Sequence, residues 1–101
     1  MKMLIIVARD SMLEELEALL HDTGVKTYTV LSNVKGEGLT GKVYGTFLQP
    51  DINCIIFSAL PSDQANSAVK ALQAHYAARV KAARGQPIPV KVFTFPCEEH
   101  V

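Results

Sequence analysis

The chain has 101 residues, of which 49% are hydrophobic, so we expect a single domain, 1–101, with a substantial apolar core. Ten basic and ten acidic residues give a formal net charge of zero, which argues against a nucleic-acid-binding domain because such domains usually carry a basic excess. Neither a secretion signal nor a membrane-spanning apolar stretch is recognisable, so we expect a cytoplasmic protein with two reduced cysteines.

The first third of the chain predicts a strand, a helix and a second strand. The unbroken apolar run at residues 3–8 is typical of a strand that is covered on both faces of a sheet. Ser11 and Glu14 have the spacing of a capping box, and the leucines that follow at helical spacing predict a helix over 11–23. The β-branched residues of 25–34 then predict the second strand.

The second half of the chain repeats this order. The apolar run at 52–59 predicts a third strand, which Pro61 ends because proline cannot donate to a sheet ladder. An apolar stripe with spacings of three and four then predicts a helix of about 22 residues, capped by Ser62 or Asp63. The last strand is expected at 90–95.

The predicted order, β-α-β-β-α-β, is that of the ferredoxin-like α+β class. Right-handed crossovers would place both helices on one face of a four-stranded antiparallel sheet. In the third strand, Cys54 and Ile56 are expected to point to one face, and Ile55 and Phe57 to the other. Because both faces are apolar and the helices cover one, we expect the sheets of an oligomer to pack together.

A long connection separates the second and third strands. The stretch 33–45 holds four of the six glycines of the chain, and Lys35 and Lys42 bracket most of it. Glycine N–H groups that approach a ligand closely, together with two cations, are typical of a loop that binds an anion or a protein partner. The alternative is that Gly36, Gly38 and Gly41 only permit turns in a solvated loop.

Two segments of the chain resemble one known family. Residues 34–38, Val-Lys-Gly-Glu-Gly, resemble the Val-Lys-Gly-Phe-Gly that begins the T-loop of the nitrogen regulatory PII signalling superfamily. Residues 91–99, Lys-Val-Phe-Thr-Phe-Pro-Cys-Glu-Glu, are similar to that family's Lys-Ile-Phe-Val-x-Pro-Val-Glu-Glu. The element order agrees over the whole chain, so the chain resembles a short, divergent PII-like protein.

The resemblance implies a non-enzymatic signalling protein that forms a homotrimer with the sheets inside. It implies that a small effector, an adenine nucleotide in many relatives, binds between subunits. The effector contacts expected on this basis are Gly36, Gly38, Lys42, Arg84 and Lys91.

The resemblance also implies that the 35–51 loop engages a protein target, which in this family is a membrane transporter, an enzyme or a regulator. No nucleic-acid partner is expected. The residues of the loop that we expect to touch the target are Lys35, Glu37, Leu39, Thr40 and Tyr44.

The chain departs from the family pattern at two places. Leu39-Thr40 stands where nitrogen-sensing members have Arg-Gln, so we do not expect it to sense 2-oxoglutarate. In the family's glycine-rich phosphate loop before the last strand, only Gly85 and Lys91 remain, and Pro87 and Pro89 lack the N–H groups that would cradle phosphate.

The C-terminal tail supports a second hypothesis, a metal-responsive trimer. Cys97 and His100 lie three residues apart beside Glu98 and Glu99, and thiolate and imidazole are good ligands for transition metals. Two ligands do not complete a site, so neighbouring subunits would have to supply the others. No Ser/His/Asp or Cys/His nucleophilic arrangement can be placed from the sequence, and we predict no enzyme.

Overall fold

The computed structural model describes residues 1–35 and 52–101, which form one antiparallel sheet and two long helices. In chain order the elements are β1 (Lys2–Arg9), a 3-10 turn (Asp10–Met12), α1 (Leu13–Asp22), β2 (Thr29–Val34), β3 (Asn53–Leu60), α2 (Ser62–Ala82) and β4 (Val90–Pro96). The strand order is β2-β3-β1-β4, and all three neighbouring pairs are antiparallel. The predicted ferredoxin-like α+β fold is confirmed.

β1 lies at the centre of the sheet and alternates between two apolar faces. Its residues Leu4, Ile6 and Ala8 are fully buried, whereas the residues between them are half-buried. The buried side chains of β1 join those of β3 and of both helices in one core cluster, which confirms that the helices share a face. The helical members of that cluster are Leu16, Leu20, Ala65, Ala68 and Leu72.

Both helices begin without the side-chain caps that the sequence predicts. Ser11 lies inside the 3-10 turn, α1 starts at Leu13, and no side chain caps it. The turn is held by the backbone, since the Asp10 N–H donates to the Ile52 carbonyl oxygen at 2.8 Å. In α2 the N-cap residue is Pro61, which places Ser62 already within the helix. The predicted capping roles of Ser11 and of Ser62 or Asp63 are therefore wrong.

A glycine in the left-handed conformation follows each helix shortly after its last residue. Gly24 and Gly85 have positive φ angles of 86° and 83°. The N–H of Val25 reaches back to the Leu20 carbonyl at 2.9 Å, a bond that spans the end of α1. Such a closure needs a left-handed residue at the end of the helix, and glycine adopts that conformation without a steric penalty.

β2 is shorter than the sequence predicts, because residues 25–28 lie outside the ladder. Two carbonyl groups, one in this stretch and one just before it, accept hydrogen bonds from side chains. The Ser58 hydroxyl donates to the Thr27 carbonyl at 2.6 Å, and the Gln64 side-chain amide donates to the Gly24 carbonyl at 2.6 Å. Val25 is fully buried in the core although it is not part of a strand. Val25 therefore contributes to the core through burial, without strand pairing.

The face of the sheet opposite the helices is apolar, and no element of residues 1–35 and 52–101 covers it. One row across the strands joins Thr29, Phe57, Ile5 and Phe93, and the next joins Leu31, Ile55, Val7 and Lys91. Leu31, Phe93 and Phe95 are 49%, 54% and 45% exposed. The predicted opposite orientation of Cys54 and Ile56 against Ile55 and Phe57 is confirmed by the burial pattern of β3.

Within the described ranges, neither α1 nor α2 is long and apolar enough to span a membrane.

Candidate functional site

One end of the sheet gathers the connections that carry the predicted site. β1 and β2 finish there while β3 and β4 begin there, as the cross-strand pairs Ala8–Val90, Arg9–Asn53 and Val34–Asn53 require. Lys35 and Ile52, which flank the 36–51 segment, therefore lie at the same end of the sheet as the connection between α2 and β4, although β2 and β4 are at opposite edges.

β2 is irregular near the point where the chain leaves the sheet for the 36–51 segment. The pairing of β2 with β3 shifts register between Leu31 and Val34, and Asn33 within that shift has a φ of 59°. Asparagine is among the few residues that tolerate the left-handed region, and a bulge re-aims the strand that contains it. On the far side of the loop, the bond from Asp10 to Ile52 holds the chain where it returns.

The connection between α2 and β4 starts with strained backbone at a basic residue. Arg84 is exposed and has a φ of 58°, and Gly85 follows with a positive φ. Left-handed backbone costs a non-glycine residue roughly 1–2 kcal/mol. Such strain is found most often at functional sites, where the surrounding structure holds it in place. Ile88 then packs against the core and fastens the connection.

A groove runs along β4 beside α2. It has a volume of about 310 Å³ and contains Lys91 at its polar side. This size falls at the lower end of the range for small-molecule sites. The residues that line it are Leu72, Gln73, Tyr76, Val90, Lys91 and Val92.

Three of the predicted site residues are thus brought to one end of the sheet, namely Lys35, Arg84 and Lys91. All three are exposed. Other predicted effector and partner contacts lie outside the described residues, and their roles stay predictions. They are Gly36, Glu37, Gly38, Leu39, Thr40, Gly41, Lys42 and Tyr44.

The C-terminal tail follows the opposite end of the sheet. The Cys97 N–H donates to the Met1 carbonyl at 3.2 Å, next to the Lys2–Pro96 pair. His100 Nε2 lies 3.6 Å from Glu98 Oε2, and both side chains are largely exposed. In residues 1–35 and 52–101, no three His, Cys, Asp or Glu side chains gather as a metal site. The metal role of Cys97 and His100 stays a prediction.

The structure shows a link between the two helices that the sequence analysis does not predict. Glu15 Oε2 lies 2.7 Å from His75 Nε2, and Glu15 Oε1 lies 3.6 Å from Arg79 Nη2. His75 and Arg79 are four residues apart and therefore share a face of α2. That spacing is visible in the sequence, but the carboxylate comes from a helix 60 positions away.

A second cluster was also missed, at the C-terminal end of α1. The Tyr28 hydroxyl donates to Glu17 Oε2 at 2.5 Å and lies 3.3 Å from His21 Nε2. The hydrogen bond to Glu17 raises the pKa of the Tyr28 phenol above its ordinary value, with burial and the charge of Glu17 adding to the effect. The sequence signal is again a spacing of four, between Glu17 and His21.

Cys54 is a core residue and does not belong to the site. It is fully buried, and its thiol lies 3.7 Å from the Arg9 carbonyl oxygen. Burial raises the pKa of the Cys54 thiol, which disfavours the reactive thiolate.

Comparison with known proteins identifies the family. The sequence model of the Nitrogen regulatory protein P-II family matches residues 1–101, so the chain belongs to that family of signalling proteins. No curated protein sequence matches the chain.

Solved structures of PII-like proteins share the fold. A PII-like protein from Thiomonas intermedia K12, solved with ADP, AMP and bicarbonate, is 25% identical, with a TM-score of 0.69 over 93% of this chain and 82% of that one. The apo form of that protein aligns with a TM-score of 0.65 at 23% identity, covering 93% of this chain and 85% of that one. A PII-like signalling protein from Thermus thermophilus reaches 0.66 at 17% identity, over 93% and 83% of the two chains.

The strained backbone at Arg84 gives a first prediction. Arg84→Gly should raise the free energy of unfolding by roughly 1 kcal/mol, because glycine adopts the left-handed conformation at little cost. Urea unfolding measures the change. Arg84→Gln is the matched control, since it removes the charge and keeps the strain. Equal stability of the two variants would contradict this account.

The Tyr28 cluster gives a second prediction. Because its pKa is raised in the folded state, Tyr28 contributes stability that is present below the ordinary tyrosine pKa and is lost as the pH rises through the folded-state pKa. Glu17→Gln should move the Tyr28 pKa back towards its ordinary value. The ultraviolet absorbance of phenolate reports this, with Glu14→Gln as the control on the exposed side of α1. An unchanged phenolate titration in Glu17→Gln would be the contrary result.

Proposed function

We propose that this chain is a non-enzymatic PII-like signalling protein that binds a small effector, with an adenine nucleotide as the effector class. The effector occupies the end of the sheet that holds Arg84 and Lys91. Binding there changes how the 35–51 loop meets a protein target. The observation that carries the proposal is the convergence of the loop ends and the α2–β4 connection at one end of the sheet.

Because these segments lie at the same end of the sheet, effector binding there can change the arrangement of the loop. A ligand held on the α2–β4 connection lies at the same end of the sheet as Lys35, where the loop begins, although β4 and β2 are at opposite edges of the sheet. If the ligand binds one loop arrangement more tightly than the others, it shifts the loop towards that arrangement by its difference in affinity. The ADP and AMP bound to the Thiomonas relative support the nucleotide class.

The prolines of the connection change how phosphate would be held. Pro87 and Pro89 remove backbone donors, so recognition of an anion falls more heavily on the side chains of Arg84 and Lys91. Hydrogen bonds to charged groups contribute about 1.5–3 kcal/mol each, which corresponds to roughly tenfold or more in affinity. We therefore expect effector binding to weaken as salt concentration rises.

Calorimetry with AMP, ADP, ATP and a cyclic nucleotide tests the effector. At least one should bind, and Arg84→Gln and Lys91→Gln should each weaken it roughly tenfold or more. Lys70→Gln, at an exposed position within α2, is the matched control and should leave binding unchanged. If none of the four gives a heat of binding or a thermal shift, the nucleotide proposal is contradicted. Unchanged affinity in both site variants would show that the effector binds at another site.

We further propose that the open face of the sheet is the interface of a homotrimer. Its rows of apolar side chains, with Phe93 and Phe95 about half exposed, would be covered by the sheets of two other copies. Burying apolar surface of this kind contributes about 25 cal/mol per Å². This arrangement would also place the effector site near the boundary between subunits.

Phe93→Glu tests the interface. A charge within the apolar face should shift the protein towards monomers, because burying an unpaired carboxylate between sheets has a large free-energy cost. Analytical ultracentrifugation reports the mass. Ala74→Glu adds the same charge at an exposed position of α2 and should leave the oligomer intact. A wild-type protein that sediments as a monomer would contradict the trimer.

A further inference from the structure

The segment that carries Arg84 and Lys91 is basic and contains no carboxylate side chain. No Asp or Glu occurs in residues 64–97, which include most of α2, the connection to β4 and all of that strand. Among the described residues, neither Arg84 nor Lys91 has an ion-pair partner. Arg79, by contrast, lies 3.6 Å from a carboxylate oxygen of Glu15. The two cations of the proposed effector site are therefore available to an anionic ligand.

The backbone of the connection between α2 and β4 has few hydrogen-bond donors left for a ligand. Four of its N–H groups already donate to carbonyl oxygens at 2.8–3.2 Å, those of Arg84, Gly85, Gln86 and Val90. Pro87 and Pro89 have no N–H group. Within the described chain, Ile88 has the one N–H of residues 84–90 without a backbone acceptor. Several adjacent free N–H groups are needed to surround a chain of phosphates, and this connection does not provide them.

The end of α2 also disfavours an accumulation of negative charge at the connection. The helix ends with Ala82, and the C-terminal end of a helix carries the negative pole of its macrodipole. One anionic group can be held by the side chains of Arg84 and Lys91, which are both exposed. Each further phosphate would need donors of its own near the helix end, where the backbone offers only the Ile88 N–H.

Residues 64–97 also have no side chain suited to a magnesium ion. In nucleotide sites, Mg²⁺ is bound through one or two carboxylates together with the phosphates of the ligand. Because this segment contains neither Asp nor Glu, it cannot hold the ion that accompanies a nucleoside triphosphate. The segment therefore favours a ligand that binds without a metal ion.

The groove between α2 and β4 suits a small ligand with one anionic group. It has a volume of about 310 Å³, near the lower end of the range for small-molecule sites. Lys91 lies at its polar side, whereas Tyr76 and Val90 belong to its apolar lining. Tyr76 is 38% exposed, so its ring is accessible to an aromatic base.

We propose that the effector site recognises a single phosphate, held by the Arg84 and Lys91 side chains without Mg²⁺, so that a nucleoside monophosphate is its complete effector. The proposal rests on the proposed nucleotide function and adds the number of phosphates that the site recognises. The β- and γ-phosphates of ADP and ATP extend into solvent and contribute no affinity.

Calorimetry of the full chain with adenosine, AMP, ADP and ATP, each in Mg²⁺ and in EDTA, tests the proposal. AMP should bind roughly tenfold or more tightly than adenosine, because its phosphate makes charged hydrogen bonds. ADP and ATP should bind no more tightly than AMP. EDTA should leave the affinity for AMP unchanged.

Variants at the two cations show whether the same phosphate is recognised in each nucleotide. Arg84→Gln and Lys91→Gln should weaken the binding of AMP and of ATP by the same factor, roughly tenfold or more, and leave adenosine unaffected. Lys70→Gln, at an exposed position of α2, is the matched control and should bind all four ligands as wild type does. Circular dichroism verifies that each variant is folded.

The outcomes separate this proposal from the nucleotide function on which it rests. If ADP or ATP binds roughly tenfold or more tightly than AMP, the single-phosphate proposal is overturned and the nucleotide function stands. The same holds if nucleotide binding requires Mg²⁺, or if AMP binds no more tightly than adenosine. If none of the nucleotides binds, both proposals are overturned.

Discussion

Burial of the inward side chains of β1 beneath the two helices is the interaction on which the rest of the structure depends. Leu4 and Ile6 are fully buried, and burial of each such side chain contributes about 1.5–3 kcal/mol. β1 also pairs with β3 along its whole length and with β4 along most of it. A slip of one residue would turn its inward side chains to the open face, so burial also sets the register of the neighbouring strands. The site at the end of the sheet inherits its geometry from this register.

The end of the sheet that carries the candidate site has more strained backbone than the core has. The non-glycine residues with positive φ in the described ranges are Asn33, near the end of β2, and Arg84, after α2, and both lie at that end of the sheet. By contrast, Gly24 closes α1 with a residue suited to the left-handed conformation. In the core, the local backbone preferences of the residues agree with the fold. The connections retain backbone strain that the packing around them must offset.

Features that depend on neighbouring residues could be predicted from the sequence, whereas features that depend on contacts between residues far apart in the chain could not. The strands, the glycine stops and the two faces of β3 were predictable because their signals are local. The start of β2 was not, because Ser58 takes up the Thr27 carbonyl from 31 positions away. The Glu15–His75 contact spans 60 positions and leaves no local signal beyond charge. Of the site, the sequence predicted the cations Arg84 and Lys91 but not that strained backbone would present one of them.

The anchoring of both ends of the 36–51 segment has a consequence for how such proteins diverge. Val34 pairs with Asn53, and Asp10 holds Ile52, so the scaffold fixes the points where the chain leaves and re-enters the sheet. The entropy of closing a flexible loop grows only slowly, by about 0.6 kcal/mol for each doubling of its length. A change in the length of the segment between these anchors therefore costs little closure entropy. Natural selection can alter the length of this connection while the scaffold that holds it stays the same.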